Sequence, residues 1–258
     1  MTGNSHPPVL RHLLRTRLRE SPLFTGVDEA FLDRVIDSGR QEYLAANAEW
    51  NDERPEQFFT VLIQGRMEVV RIDPRSARRF TLFLLGPGDG YDILPLLDGQ
   101  PHEATLFAID DVHLLRFPLA QVRQWLRDNP TLNHNFLMYV GHSLRRMEDL
   151  ATDLALHGTL KRLANLLLRH LDLHPAHGPP AEPVPVRLIN DLKHERLASM
   201  IGSVRQIVNR HLGKLKRMGV IEQQEDRLFV RDLETLKRYA ERVEDDIERD
   251  RRRHDPHR

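Results

Sequence analysis

The sequence predicts an α+β protein: a β-rich roll between helical segments, then a small mixed domain. Three observations carry this. Between Arg40 and Phe117 short β-like runs alternate with turn residues. From Leu119 the apolar period turns helical, and it stays helical through one unusually long segment. From Leu192 to Val230 two short helical patterns meet at a glycine and lead into an alternating, hairpin-like stretch.

Composition sets the limits. A chain of 258 residues corresponds to one large or two ordinary domains, and 40% hydrophobic residues suffice for a buried core. Lys+Arg and Asp+Glu both number 38, so any basic surface is local. Cysteine is absent, which excludes disulfides, Cys-ligated zinc, iron–sulfur clusters and thiol sensing. The first residues, "MTGNSHPPVLRHLLRTRLRE", contain no apolar signal region, and no run approaches the roughly 18 apolar residues of a membrane span. A cytoplasmic chain without membrane contact is expected.

The elements follow in order. In segment 1–20, Val9, Leu13, Leu14 and Leu18 have the spacing of a short amphipathic helix. Segment 21–131 opens on a helix in "VDEAFLDRVIDSG", which Asp28 can cap and Gly39 can end. The runs "FFTVLIQGRMEVVRI", "RFTLFLL", "ATLFAI" and "VHLLRF" read as strands, with Gly65 placed as a hairpin turn and Pro87-Gly88-Asp89 as a second turn. Strands so spaced predict a compact roll or barrel. "LAQVRQWLRDNP" is a helix stopped near Pro130.

Segment 132–157 is a single long helix. Phe136, Val140, Ser143, Met147, Leu150 and Leu154 are spaced 4, 3, 4, 3, 4 and flanked by charge, the pattern of a dimer seam. Segment 158–231 begins with the apolar helix "TLKRLANLLLRHLDL", a Pro/Gly-rich loop and a short strand within Val184–Leu188. Segment 232–258 is a C-terminal helix with a mixed-charge tail that frays into solvent. His170, His174 and His177 have metal-like spacing, but Pro175 interrupts the helix, so no metal site is expected.

The densest signal lies in "DLKHERLASMIGSVRQIVNRHLGKLKRMGVIEQQEDRLFVRD". A helix over Lys193–Met200 is followed by Gly202, which permits a tight turn. Ser203 with Gln206 forms a potential capping box for the next helix. On that helix Val204, Ile207, Val208, His211, Leu212 and Leu215 fall on one side, and Arg205, Gln206, Asn209 and Arg210 on the other. These four are side chains that pair with base edges. Between Lys193 and Ile221 seven basic residues, Lys214 among them, are opposed by the single acid Glu195, a field suited to phosphates. "VIEQQEDRLFV" reads as a two-stranded wing turning near Glu225-Asp226. The segment is a winged helix-turn-helix for double-stranded DNA, with Ser203, Arg205, Gln206, Asn209, Arg210 and Lys214 as its contacts.

At these residues the chain resembles the CRP/FNR family of bacterial transcription regulators. The pattern "LxxxxLAxxIGxxRQxVNRxLxxLxxxGxI", Leu192 to Ile221, carries the likeness, which extends over about Ser21 to Val230. It implies an N-terminal cupin-like, cyclic-nucleotide-binding-like β-roll, a long dimerisation helix and a C-terminal winged helix-turn-helix. It implies a homodimer on a near-palindromic operator, with RNA polymerase a further partner. Arg205, Gln206 and Arg210 then fall on base-reading positions. Two residues depart from the pattern: Lys193 replaces a capping Thr, and Val204 replaces a Ser or Thr that contacts phosphate.

The resemblance also places an effector segment at "DILPLLDGQPHEATL". Cyclic-nucleotide-binding members carry a Gly-Glu pair there and a later Arg-Ser pair for ribose and phosphate. Here Asp92 and Ile93 replace the first pair, His102 and Glu103 the second, and Pro95 removes a backbone donor. Cyclic AMP is therefore not the expected effector. Tyr91, Asp92, His102, Glu103 and Thr105 outline the altered pocket. Three readings stay open: haem sensing a diatomic gas, as in nitric-oxide-responsive members, with His12, Tyr91 and His102 as candidate ligands; another small molecule; or no effector. An enzyme on a cupin-like barrel would need a clustered His/carboxylate triad. The β region offers only His102 and His113, so no catalysis is expected.

Overall fold

The computed structural model describes residues 7–50, 57–101, 103–171, 184–186, 188–225 and 227–241. The chain divides into two units, Met1–Arg146 and Met147–Arg258.

The first unit opens with α1 (Pro8–Glu20) and α2 (Glu29–Ser38). Pro8 stands at the start of α1, where its missing N–H costs no hydrogen bond. Leu14 and Leu18 turn inward, and Arg11 and Arg15 reach Asp33 and Asp37 on α2. Asp28 caps α2 by accepting the Phe31 N–H at 2.8 Å.

Eight strands follow: β1 (Arg40–Leu44), β2 (Glu49–Trp50), β3 (Phe58–Gln64), β4 (Met67–Ile72), β5 (Arg79–Leu85), β6 (Gly90–Tyr91), β7 (Thr105–Ala108) and β8 (Val112–Pro118). They form two four-stranded antiparallel sheets, ordered β1-β8-β3-β6 and β2-β7-β4-β5. Three helices complete the unit's elements: α3 (Ile93–Asp98), α4 (Leu119–Asp128) and α5 (Pro130–Leu156), within which the division into units falls.

Two apolar cores result. Trp50, Leu62, Met67, Val69, Leu106 and Leu114 form one within the roll. Leu14, Phe31, Phe59, Leu115, Phe117 and Phe136 form the other, between one sheet and the helices. β3 serves both: Phe59, Val61 and Ile63 meet the helices and Leu62 the roll. A strand covered on both faces needs a nearly continuous apolar run, which explains "FFTVLI", interrupted by the buried Thr60.

Gly65 is not a hairpin turn. β3 and β4 lie in different sheets, so the chain crosses from one sheet to the other there. Gly65 has φ +84°, and a Cβ would sit 2.5 Å from the Asp111 carbonyl oxygen. The next residue, Arg66, pairs bidentately with Asp110 at 2.7 Å, which anchors the crossing.

Two positions of the expected seam on α5, Phe136 and Val140, are corrected. Phe136 is 3% exposed, meets Phe59 edge-on at 6.4 Å and belongs to the helix-side core, with Val140 packed against it. Ser143 donates its hydroxyl to the Tyr139 carbonyl. Phe136 and Val140 fall on the heptad because the helix-side core covers their face. The apolar side chains left exposed on α5 are Leu137, Met138, Leu144 and Leu156. Met147, Leu150 and Leu154 are half-buried.

The second unit contains α6 (Thr159–Arg169), β9 (Val184–Pro185), α7 (His194–Met200), α8 (Arg205–Arg217), β10 (Ile221–Gln224), β11 (Arg227–Val230) and α9 (Leu233–Glu241). β9 joins the wing as its third strand, in the order β10-β11-β9. Leu163, Leu167, Leu197, Val208, Leu212, Leu215 and Leu236 are all buried. His174, His177, Asp226 and the tail beyond Glu241 lie outside the described residues.

Candidate nucleic-acid interface and effector segment

α7 and α8 meet through Ile201-Gly202-Ser203. Gly202 has φ +60°, the left-handed conformation that favours glycine. The turn consumes Ser203, so α8 starts at Arg205 and its N-cap is Val204, which makes no side-chain cap. The capping box predicted from Ser203 and Gln206 is therefore not formed. Val204 leaves the buried face for the same reason and is 56% exposed. The rest of the helix divides as its sequence dictates. Val208, Leu212 and Leu215 are buried, and Arg205, Gln206, Asn209 and Arg210 are all exposed on the opposite face.

Two of those four have partners on α7. Arg205 Nη1 lies 2.8 Å from Glu195 Oε1. Asn209 Oδ1 accepts a hydrogen bond from His194 Nδ1. Among the described residues Gln206 and Arg210 have no side-chain partner. Lys214 is half-buried, with its ammonium 5.6 Å from the centre of the Tyr239 ring.

Three polar ties that brace this motif escape sequence reading. Asp153, 4% exposed near the end of α5, accepts from His157, Asn165 and Arg169 at 2.9, 2.6 and 2.8 Å. Burial pushes its carboxyl up, but the hydrogen bonds from His157, Arg169 and Asn165 outweigh it, and the net shift is downward. Arg162 donates to the carbonyls of Leu154, His157 and Ile201, which satisfies the end of α5 and holds the turn before α8. His211 meets Thr159 at 2.8 Å, and burial, then Arg210 and Lys214, holds its imidazole below the usual range. The available signal was a buried-face Asp followed by His at i+4, a pattern too common to single out.

In the roll, the segment aligned with the family's effector site forms the short helix α3. Asp92 precedes it at φ +69°, a conformation that glycine adopts without cost. Tyr91 and Asp92 are buried, and Thr105 is half-buried. Burial, then Asp92, pushes the Tyr91 hydroxyl up, so it stays protonated. Glu103 is exposed and paired with Arg71 of β4 at 3.0 Å, a cation invisible in the linear segment. His102 lies outside the described residues, and His12 is exposed on α1. Further along β8, Arg116 is buried beside the rings of Phe58 and Trp50 (4.5 and 5.0 Å) and paired with Glu42 at 2.9 Å. Among the described residues no cluster of His and carboxylates is placed to hold a metal ion, and no helix is long and apolar enough to cross a membrane.

Tyr139 of α5 ties the turn before this segment. Its hydroxyl accepts the Gly90 N–H at 3.1 Å and donates to Asp89 Oδ1 at 3.1 Å, while Asp89 Oδ2 accepts the Gly86 N–H at 2.8 Å. Ser21 donates its hydroxyl to the Gly88 carbonyl at 2.6 Å. Tyr139→Phe leaves a buried N–H and a buried carboxyl short of a partner. It should cost about 1–3 kcal/mol, read as a lower denaturant midpoint at unchanged m-value.

A roll of this topology followed by a basic winged helix-turn-helix is the architecture of a DNA-binding regulator of transcription. Comparison with known proteins agrees. A Crp-like helix-turn-helix domain model matches residues 161–239 and a cyclic nucleotide-binding domain model matches residues 50–129. The CRP-like cAMP-activated global transcriptional regulator of Mycobacterium tuberculosis is 27% identical over 180 residues, 70% of this chain and 78% of that protein. The global nitrogen regulator of Synechocystis sp. is 29% identical over 169 residues, 65% of this chain and 73% of that protein. Among solved structures, a mutant of CooA from Carboxydothermus hydrogenoformans shares the fold at a TM-score of 0.69 and 20% identity, covering 85% of this chain and 95% of that one. The chain joins a cyclic nucleotide-binding domain to a Crp-like helix-turn-helix domain, as do the CRP/FNR-type transcription regulators, which bind DNA through their helix-turn-helix and are not enzymes.

Proposed function

We propose that this regulator acts as a homodimer whose two α8 helices read a near-palindromic operator, under control of an effector other than cyclic AMP. The observation that carries the reading is the division of α8: Arg205, Gln206, Asn209 and Arg210 exposed, Val208, Leu212 and Leu215 buried. A recognition helix presents such N-terminal side chains to the major groove, and a dimer spaces its half-sites about one helical turn apart. Ser203 and Lys214 flank the face and suit phosphate contact. For the dimer, Leu137, Leu144 and the half-buried Met147, Leu150 and Leu154 offer an apolar face on α5 once Phe136 is assigned to the roll. RNA polymerase is the expected further partner of the DNA-bound regulator.

The effector reading rests on chemistry. A cyclic phosphate requires a cation and free donors. The segment supplies buried Asp92, Pro95 without an N–H, and Glu103, which neutralises Arg71. The curated relative described as cAMP-activated is a different protein at 27% identity, and the substitutions at Asp92, Ile93 and Glu103 separate this chain from such a site.

The test is selection of DNA by the full-length protein from a random pool, then titration of the selected duplex with and without cyclic AMP. The expected outcome is a motif with two inverted half-sites, one dimer per site, and affinity unchanged by cyclic AMP. A single asymmetric site bound by one chain overturns the dimer, and tighter binding with cyclic AMP overturns the effector reading.

A further inference from the structure

We propose that His194 and Glu195, in the first turn of α7, are specificity-determining positioning residues that set how Asn209 and Arg205 meet DNA. The inference rests on α8 being the recognition helix and goes beyond it, because it says which base edges these side chains accept.

A free Asn209, like Gln206, can present both an N–H donor and a carbonyl acceptor, the pair that matches adenine N6 and N7. Here its Oδ1 is occupied by His194 Nδ1. An amide oxygen cannot donate, so the imidazole is the donor, and its proton sits on Nδ1. One of the two Oδ1 lone pairs is thereby engaged and the amide is held in one orientation, so Asn209 presents chiefly the N–H groups of Nδ2. That half of the amide selects acceptor edges, such as guanine N7 and O6 or thymine O4, and the bidentate match to adenine is weakened.

Glu195 acts on Arg205. Nη1 is engaged with Oε1 at 2.8 Å, which leaves the other edge of the planar fork for guanine. Both side chains are more than half exposed, so the pair adds little stability. Its weight lies in orientation. Glu195 is the single acid between Lys193 and Ile221, where a carboxylate opposes phosphate affinity. The same geometry explains the site: one face of α7 holds both reading residues from their flank, and Gln206 and Arg210, further round α8, have no such support among the described residues.

The experiment compares base preference, position by position, for the full-length protein and its His194→Ala and Asn209→Ala variants, by binding to every single-base variant of the selected operator. Both changes are at the surface and leave the fold intact, which far-ultraviolet circular dichroism checks. His194→Ala should shift one position in each half-site toward adenine by about tenfold, with the Arg-read guanines and non-specific binding unchanged. Asn209→Ala should erase preference at that same position, and adding His194→Ala to it should change nothing more. A His194→Ala profile identical to wild type overturns the inference and leaves the recognition helix standing. A shift that persists in the Asn209→Ala background also overturns it. Failure of the wild-type protein to select any motif removes both the inference and the recognition-helix reading beneath it.

Discussion

Arg205→Ala is expected to abolish most of the preference for the selected operator while keeping DNA binding. A bidentate Arg–guanine contact is worth about 1–3 kcal/mol against the wrong base, and a dimer loses two of them. The affinity for the operator should fall about 10²-fold or more. Arg205 also neutralises Glu195 at 2.8 Å, so truncation leaves that carboxylate facing the phosphates. Non-specific binding should persist, because Lys193, Arg196, Arg210, Lys214, Lys216 and Arg217 remain to contact the backbone. Arg205→Lys separates charge from geometry: it restores attraction but not the planar fork, so the site preference should stay low. The measurement is a mobility-shift titration of operator against scrambled duplex at one salt concentration. Undiminished preference in the alanine variant would remove Arg205 from the base-reading set.

Asp153→Ala is expected to be the most destabilising change in the second unit. The carboxylate is 4% exposed and accepts from three side chains. Its removal strands Asn165, His157 and Arg169 at the start of the helix-turn-helix scaffold. Losing one partner of a buried ion pair costs about 3–5 kcal/mol. Arg169 is about one-third exposed, which brings the expectation to about 3 kcal/mol. The pH dependence has a definite sign. The Asp153 carboxyl is held below the usual carboxylate range. Its contribution is therefore present above about pH 4 and is lost as pH falls through the depressed value. The stability gap between wild type and Asp153→Asn should be full at neutral pH and close in acid. Chemical denaturation of both proteins across pH 2–7 measures it, and a gap that stays constant would show that the charge contributes nothing.

The two changes act on different links of the same chain of cause. Arg205 is exposed and tests the interface; Asp153 is buried and tests the scaffold. Asp153, Arg162 and Thr159 join the end of α5 and α6 to the turn and helix of the DNA-binding motif. Arg162 holds the carbonyls of Leu154 and Ile201 together, so the end of α5 is fixed to the turn before α8.

What the sequence determined by itself was local and periodic. Helix α8 is legible because burial and DNA reading impose opposite chemistry on two faces of one 13-residue helix. The cap of α2 at Asp28, the stop before Pro130 and the turn at Gly202 are legible because each depends on the backbone of its immediate neighbours. The departure from the family's cyclic-nucleotide pattern at Asp92 and Glu103 is legible as residue type alone. What the tertiary structure decided depends on residues distant in sequence. Gly65 looks like a hairpin turn and is a crossing between sheets, because the partners of β3 and β4 are set by strands further along the chain. The heptad on α5 records burial, but whether a roll or a second chain covers Phe136 is settled by Phe59 and the helix-side core. The Arg71–Glu103 and His194–Asn209 pairs join residues 32 and 15 positions apart. Periodicity reports that a face is covered; only the fold says by what.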